Sequence, residues 1–235
     1  MFFYSTNYFL YIIPGILLVM LAQFWVTSTY RKWSQVRNQY SITGEDAARQ
    51  LLSYGNLYDV SLQGTPGYLS DHYDPRQKIL RLSPAVGQGQ SVASLAITAH
   101  EIGHAVQDSQ GYFPLQLRAA LVPAVQFGST LGYIFIIIGL LLRGTLGTQL
   151  AWIGVGAFAL GTLFALATIP VELNASSRAR VMLYQSGLVT SQEEQRGVNS
   201  VLNAAAFTYV AALAASLLQL LYYISLLGGF GRRRR

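Results

Sequence analysis

The chain predicts a mainly α-helical membrane protein, with about four transmembrane helices and a small α+β segment between the first two. Three observations lead there. The 235 residues are 52% hydrophobic and only 11% charged, whereas an ordinary soluble domain carries about 25% charged residues. Four stretches run without a charged side chain for about the 20 residues that a helix needs to cross the hydrocarbon core of a bilayer. Between the first and second of them lies a polar segment rich in turn residues, which ends in a helical run bearing His100-Glu101-Ile102-Gly103-His104.

The elements follow in order. Met1 to Tyr30 has no charged side chain, and residues 8–27 are long enough to span. There is no basic start and no small-residue cleavage site, so this reads as an uncleaved first span rather than a secretory signal. Arg31, Lys32 and Arg37 follow at once, which places that end in the cytoplasm by the positive-inside rule. Thr43-Gly44-Glu45-Asp46 has the form of a capping box, opening a helix through Leu51 and Leu52 that stops near Gly55. Three strand-like stretches come next, at 59–63, 67–73 and 77–83. The turn segments Gly64-Thr65-Pro66 and Asp74-Pro75-Arg76 separate them, and Asp71 and Asp74 are expected to serve turn geometry near Pro75. A short antiparallel meander is predicted, with an edge strand able to hold an extended peptide by strand addition. Residues 91–108, free of Pro and rich in Ala, Ile and Val, predict the helix that carries the two histidines.

Residues 121–142 and 150–169 form a predicted transmembrane hairpin. Pro170 is expected to kink or end its second arm as it leaves the bilayer. Residues 171–203 are polar, with Ser191 and Glu194 offering a second capping box, and 204–231 form the fourth uncharged run before Arg232–Arg235. Gly154, Gly156 and Gly161 suit close helix approach, and Tyr222 and Tyr223 a lipid-facing or interfacial position. The expected organisation is a first span at 1–30, a cytoplasmic domain at 31–120, a transmembrane hairpin at 121–170, a helical segment at 171–203, and a fourth span with basic tail at 204–235.

Charge and cysteine content narrow the chemistry. Net charge is +6, but Arg232–Arg235 supply four of those charges, leaving +2. Nucleic acid is therefore not expected, and the tail suits lipid head groups. With no cysteine, disulfides, thiolate zinc sites and thiol nucleophiles are excluded. Segments 31–120 and 171–203 carry 11 of the 16 basic residues, which favours a cell-membrane protein whose polar segments face the cytoplasm. Four full crossings would then put the arginine tail outside, against the same rule.

On a helix, His100 and His104 lie one turn apart on one face, so their imidazoles can share one tetrahedral Zn²⁺. Glu101 lies about 100° round the same turn, close enough to accept a proton from a water activated by the metal. Gly103 places no side chain beside the ligands. A catalytic zinc takes three protein ligands and leaves one open position. The third ligand should be a carboxylate or His72, the remaining histidine. Glu172, which directly follows the predicted hairpin in Pro170-Val171-Glu172-Leu173-Asn174-Ala175-Ser176-Ser177-Arg178, is the carboxylate best placed to return to the histidines. It could equally be an interfacial glutamate snorkelling at a span end, or pair with Arg178.

The combination resembles the YugP-type membrane neutral zinc metallopeptidases over nearly the whole chain. The matching features are one early span, the Thr43-Gly44 helix start, Asp71-His72-Tyr73-Asp74-Pro75-Arg76, Leu80-Arg81-Leu82-Ser83, His100 to Gln107, a hairpin, and Pro170-Val171-Glu172. More distantly it is similar to the HtpX-type gluzincins, in which a membrane hairpin also separates the two motifs. The resemblance implies a zincin-like domain, one catalytic zinc held by His100, His104 and Glu172, and Glu101 as general base. The family pattern favours Asp where this chain has Asn174, so no carboxylate role carries over to that position, although an amide there can hydrogen-bond a ligand.

The expected function is zinc-dependent hydrolysis of peptide bonds by an integral membrane endopeptidase. Its expected partners are the bilayer, a protein or peptide substrate, and partner membrane proteins or further copies of itself. His72, Asn203 and Tyr209 are candidate donors to the oxyanion. The alternative is a membrane adaptor that keeps the zinc fold and works by binding. An intact Glu101 argues against it, since a scaffold needs no general base.

Overall fold

The computed structural model describes residues 6–142 and 144–232. The elements are α1 (Thr6–Trp33), α2 (Gly44–Tyr54), β1 (Ser61–Gly64), β2 (His72–Asp74), β3 (Ile79–Leu82), α3 (Pro84–Gly87), α4 (Val92–Ser109), α5 (Phe113–Leu141), α6 (Thr145–Gln185) and α7 (Gln192–Arg232). This is a mainly α membrane protein with a small α+β part. Four helices, α1, α5, α6 and α7, are long and apolar enough to cross a bilayer. The predicted lipid contact of the arginine tail falls outside the described residues, apart from the backbone of Arg232.

The chain divides into two compact units. One gathers Gln23–Leu115 and Pro170–Phe207; the other gathers Gln116–Ile169 with the chain up to Ala22 and from Thr208. In the second of these, small residues let α5 and α6 approach closely. A Cβ on Gly154 would sit 2.6 Å from the Gly132 carbonyl oxygen, as the sequence led us to expect, whereas Gly156 and Gly161 face open space. Tyr222 and Tyr223 are buried rather than lipid-facing. They pack edge-on against Tyr8 and Phe158, at ring separations of 5.2 and 5.1 Å.

The other unit is built around α4. Val92, Leu95, Ala96, Ala99 and Ile102 are wholly buried, and they pack in one core with Leu51 of α2, Leu80 of β3, Leu183 of α6 and Leu202 of α7. The predicted capping box starts α2: Thr43 Oγ1 accepts from Asp46 N at 3.1 Å, and Thr43 N donates to Asp46 Oδ2 at 3.2 Å. The second box, Ser191 with Glu194, starts α7. Glu194 also accepts from Gln39 N at 2.9 Å, fastening the chain after α1 to the start of α7.

Three expectations are corrected. The sheet is not a meander: its order is β1-β3-β2, with β1 parallel to β3 and β2 antiparallel to it. A tight turn joins β2 to β3, with Asp74 Oδ1 accepting from Arg76 N and Gln77 N. The β1–β2 connection over 65–71, by contrast, is too long for a hairpin and carries the chain past β3 to its far side. Asp71 does not serve the turn. It accepts from Ser83 N at 2.7 Å and from Ser83 Oγ, tying the entry to β2 to the end of β3. Pro170 lies inside a continuous α6, so of the two outcomes expected there, a kink or an end, the end is excluded. A proline removes one backbone donor, and in a helix packed this extensively that single loss is tolerated.

Candidate metal centre

Two helices bring the predicted ligands together. His100 and His104 lie one turn apart on α4, with ring centroids 4.8 Å apart and planes at 82°. Glu172 lies on α6, two residues beyond Pro170, and is 2% exposed. Its Oε2 is 3.2 Å from His100 Nε2 and 3.6 Å from His104 Nε2. One ligand atom from each of the three residues fits within 4.8 Å of the others. Arg178, the alternative partner of Glu172, donates to Asn174 Oδ1 and to Gln110 Oε1, both at 2.6 Å.

Gly103 makes this convergence possible. A Cβ there would lie 2.5 Å from the carbonyl oxygen of Ala175 and 3.1 Å from its Cα. The backbones of α4 and α6 therefore touch one turn from the ligands. The residue expected merely to leave room beside the histidines is the crossing point of the two helices.

Hydrogen bonds aim the imidazoles. Ser176 Oγ, one turn along α6 from Glu172, contacts His100 Nδ1 at 3.2 Å. Gln107 Oε1 contacts His104 Nδ1 at 3.0 Å. The Gln107 amide is itself anchored: its Nε2 donates to Val171 O at 2.8 Å and to Asn174 Oδ1 at 3.0 Å. Since Gln107 Nε2 is the donor in those bonds, its Oε1 accepts from His104, which puts that proton on Nδ1 and the lone pair on Nε2. Asn174 thus reaches the ligand through Gln107. Sequence reasoning missed Gln107 and Ser176, although a glutamine three residues after His104 and a serine four after Glu172 share the faces of their ligands.

The donor set suits zinc. Two ligands at ~2.1 Å in tetrahedral geometry stand about 3.4 Å apart, and the two nitrogen–oxygen separations bracket that value. Both Nδ1 atoms are occupied, which leaves both Nε2 atoms for a metal.

Glu101 points to the sheet side of α4, where its Oε2 accepts from Tyr73 N at 3.1 Å. That amide belongs to the outer edge of β2. Burial pushes the Glu101 carboxyl up, more than the neighbouring His100 and His104 pull it down. Burial also acts to lower His104, but the hydrogen bond to Glu172 and the charge of Glu101 raise it overall. The Tyr73 hydroxyl, pushed far up by burial, donates to Asp108 Oδ2 at 2.8 Å. Lys78 Nζ meets the same oxygen at 2.8 Å, so strand β2 is tied to α4 at both Glu101 and Asp108.

The remaining candidates are engaged elsewhere. His72 is exposed, with Nδ1 at 2.8 Å from Ser70 O and Nε2 at 3.5 Å from Arg81. Asn203 accepts from Arg180 at 2.6 Å. Tyr209 belongs to the other compact unit.

The pattern has relatives. A family described as "Putative neutral zinc metallopeptidase" matches residues 8–228. The chain belongs to that family. It is 41% identical over 203 residues to the "Putative membrane protease YugP" of Bacillus subtilis (strain 168), covering 86% of this chain and 88% of that one. No solved structure matches. Membership of that family and the cluster of two half-buried histidines with the buried Glu172 agree on the class of metal chemistry.

Proposed function

We propose that the protein is an integral membrane zinc-dependent endopeptidase, with the ion held by His100 Nε2, His104 Nε2 and the Glu172 carboxylate, and with Glu101 as the catalytic acid–base. The observation that carries this reading is the approach of Glu172 Oε2 to both imidazoles, beside a carboxylate that does not ligate. A zinc ion in that position supplies a Lewis acid that polarises the scissile carbonyl and acidifies water.

The rest is the work of the chain. Glu101 takes the proton of the attacking water on its carboxylate and delivers it to the leaving amine nitrogen. A carboxyl pushed up by burial is suited to both halves of that transfer. The Tyr73 amide holds Glu101 Oε2 in place, while Ser176 and Gln107 hold the imidazoles. Among the described residues strand β2 pairs only with β3, and an extended peptide added along its other edge, where the Tyr73 amide meets Glu101, would lie beside that carboxylate. Arg31, Lys32 and Arg37 support a multi-pass arrangement in the cell membrane with the site on the cytoplasmic side. Residues 31–120 and 171–203 then act together as the peptidase domain.

The test is cleavage of an unfolded model protein by detergent-purified enzyme. Cutting should stop with a chelator, return with zinc, and be absent in Glu101→Gln. Cleavage by chelated enzyme would overturn the proposal.

A further inference from the structure

A cavity of about 760 Å³ lies between the last turns of α1 and the first turns of α7, within the unit that carries the metal centre, and the proposed reaction does not use it. Both helices change character at its level. Helix α1 has no charged residue up to Tyr30 and then carries Arg31 and Lys32; α7 is polar through Asn203 and uncharged from Ala204. Such a change marks the boundary between hydrocarbon and water. Trp25 and Trp33, of the residue type enriched at that boundary, line the cavity.

The polar lining consists largely of hydrogen-bond donors. Lys32 and Arg196 both face the cavity, and among the described residues neither forms an ion pair. Lys32 Nζ rests 5.0 Å from the Trp33 ring centroid. Arg180 donates to Asn199 Oδ1 at 2.7 Å and to Asn203 Oδ1 at 2.6 Å. Both amide oxygens are thereby occupied and turned toward the guanidinium, which leaves the Asn203 NH₂ group as a donor to the cavity. The hydroxyls of Thr29 and Ser200 complete the set, and Glu193 is the one carboxylate in the lining.

We propose that this cavity binds the headgroup of a membrane glycerophospholipid, with the phosphodiester between Lys32 and Arg196 and the amide and hydroxyl donors around it. Within the lining two cations face one carboxylate, and Arg180 behind the two asparagines adds a further positive charge, so the cavity suits an anion. Its place where both helices turn from uncharged to polar favours a phosphodiester that carries acyl chains over free phosphate. The acyl chains would then follow the uncharged lengths of α1 and α7. The proposal does not depend on the peptidase reading.

The test uses the full-length protein, delipidated in detergent and titrated with short-chain phosphatidylglycerol, short-chain diacylglycerol and inorganic phosphate, with bound species counted by native mass spectrometry. Wild type should bind one phosphatidylglycerol, at least tenfold more tightly than either of the others. Lys32→Gln/Arg196→Gln should weaken that binding at least tenfold. Ser200→Phe, which fills the cavity and keeps every charge, should do the same with zinc content and melting temperature unchanged. Equal binding of diacylglycerol would overturn the headgroup assignment, and equal binding of inorganic phosphate would make this a free-anion site. Unchanged phospholipid binding in Ser200→Phe would remove the cavity from the account.

Discussion

Substituting alanine for Gly103 tests how the metal centre is assembled. The added methyl carbon would stand 2.5 Å from the Ala175 carbonyl oxygen, about 0.9 Å short of the 3.4 Å at which ordinary contact begins. Neither side can swing away, because both atoms are fixed to helical backbone, so α4 and α6 must part. His100 lies three residues before Gly103, and Glu172 three before Ala175. A separation approaching 0.9 Å therefore falls on the ligands themselves, whose bonds to zinc tolerate only about 0.2 Å. Overpacking of this kind costs about 1–3 kcal/mol, and alanine's better helix propensity offsets about 1 kcal/mol of that. Global stability should fall little, while zinc affinity should fall about 10–100-fold, as when the supports of a metal ligand are lost. Competition against a chromophoric chelator in detergent measures this, with Gly156→Ala, whose Cβ meets nothing within 4 Å, as control. A Gly103→Ala protein that holds zinc as tightly as wild type would refute the claim that the crossing of α4 and α6 forms the site.

Other perturbations follow from the same geometry. Gln107→Leu removes the partner of His104 Nδ1 and should weaken zinc about tenfold or more, read by the same competition. Gln107→Glu keeps that acceptor but sets a carboxylate oxygen against Val171 O and Asn174 Oδ1, so it should not restore wild-type affinity. Gly44→Ala drives a methyl into the Val86 carbonyl oxygen and should destabilise the α4 unit by about 1–3 kcal/mol, measured by denaturant unfolding in detergent. Asp46 is held below the usual aspartate range by its hydrogen bonds to Thr43. Its support of α2 should be complete above that range and fade as pH falls through the depressed value, seen as faster amide exchange in the first turn of α2; exchange with no such acid dependence would contradict the capping box.

The sequence spoke most clearly where chemistry depends on neighbours along the chain. The spacing of His100 and His104 needs only the helical repeat, and the boxes at Thr43 and Ser191 only a three-residue span. Glu172 was harder, because 68 residues separate it from His104 and from the residues alone it could have been an interfacial carboxylate. Gln107, Ser176 and Gly103 went unread as supports because each role depends on the other helix: α6 anchors the Gln107 amide, Ser176 meets a histidine of α4, and Gly103 meets the Ala175 backbone. The sheet failed for a related reason: strands of three or four residues carry too little pattern to fix their order. The 65–71 connection, which decides that order, looked like part of a strand. At Pro170 the helix runs on through a 41-residue α6, so the local signal for an end did not hold there.

The most direct test measures zinc content and cleavage of an unfolded protein side by side in wild type, Glu101→Gln and Glu172→Ala. The account predicts one zinc and cleavage for wild type, one zinc and no cleavage for Glu101→Gln, and neither for Glu172→Ala. Stoichiometric zinc in Glu172→Ala, or cutting by Glu101→Gln, would contradict it.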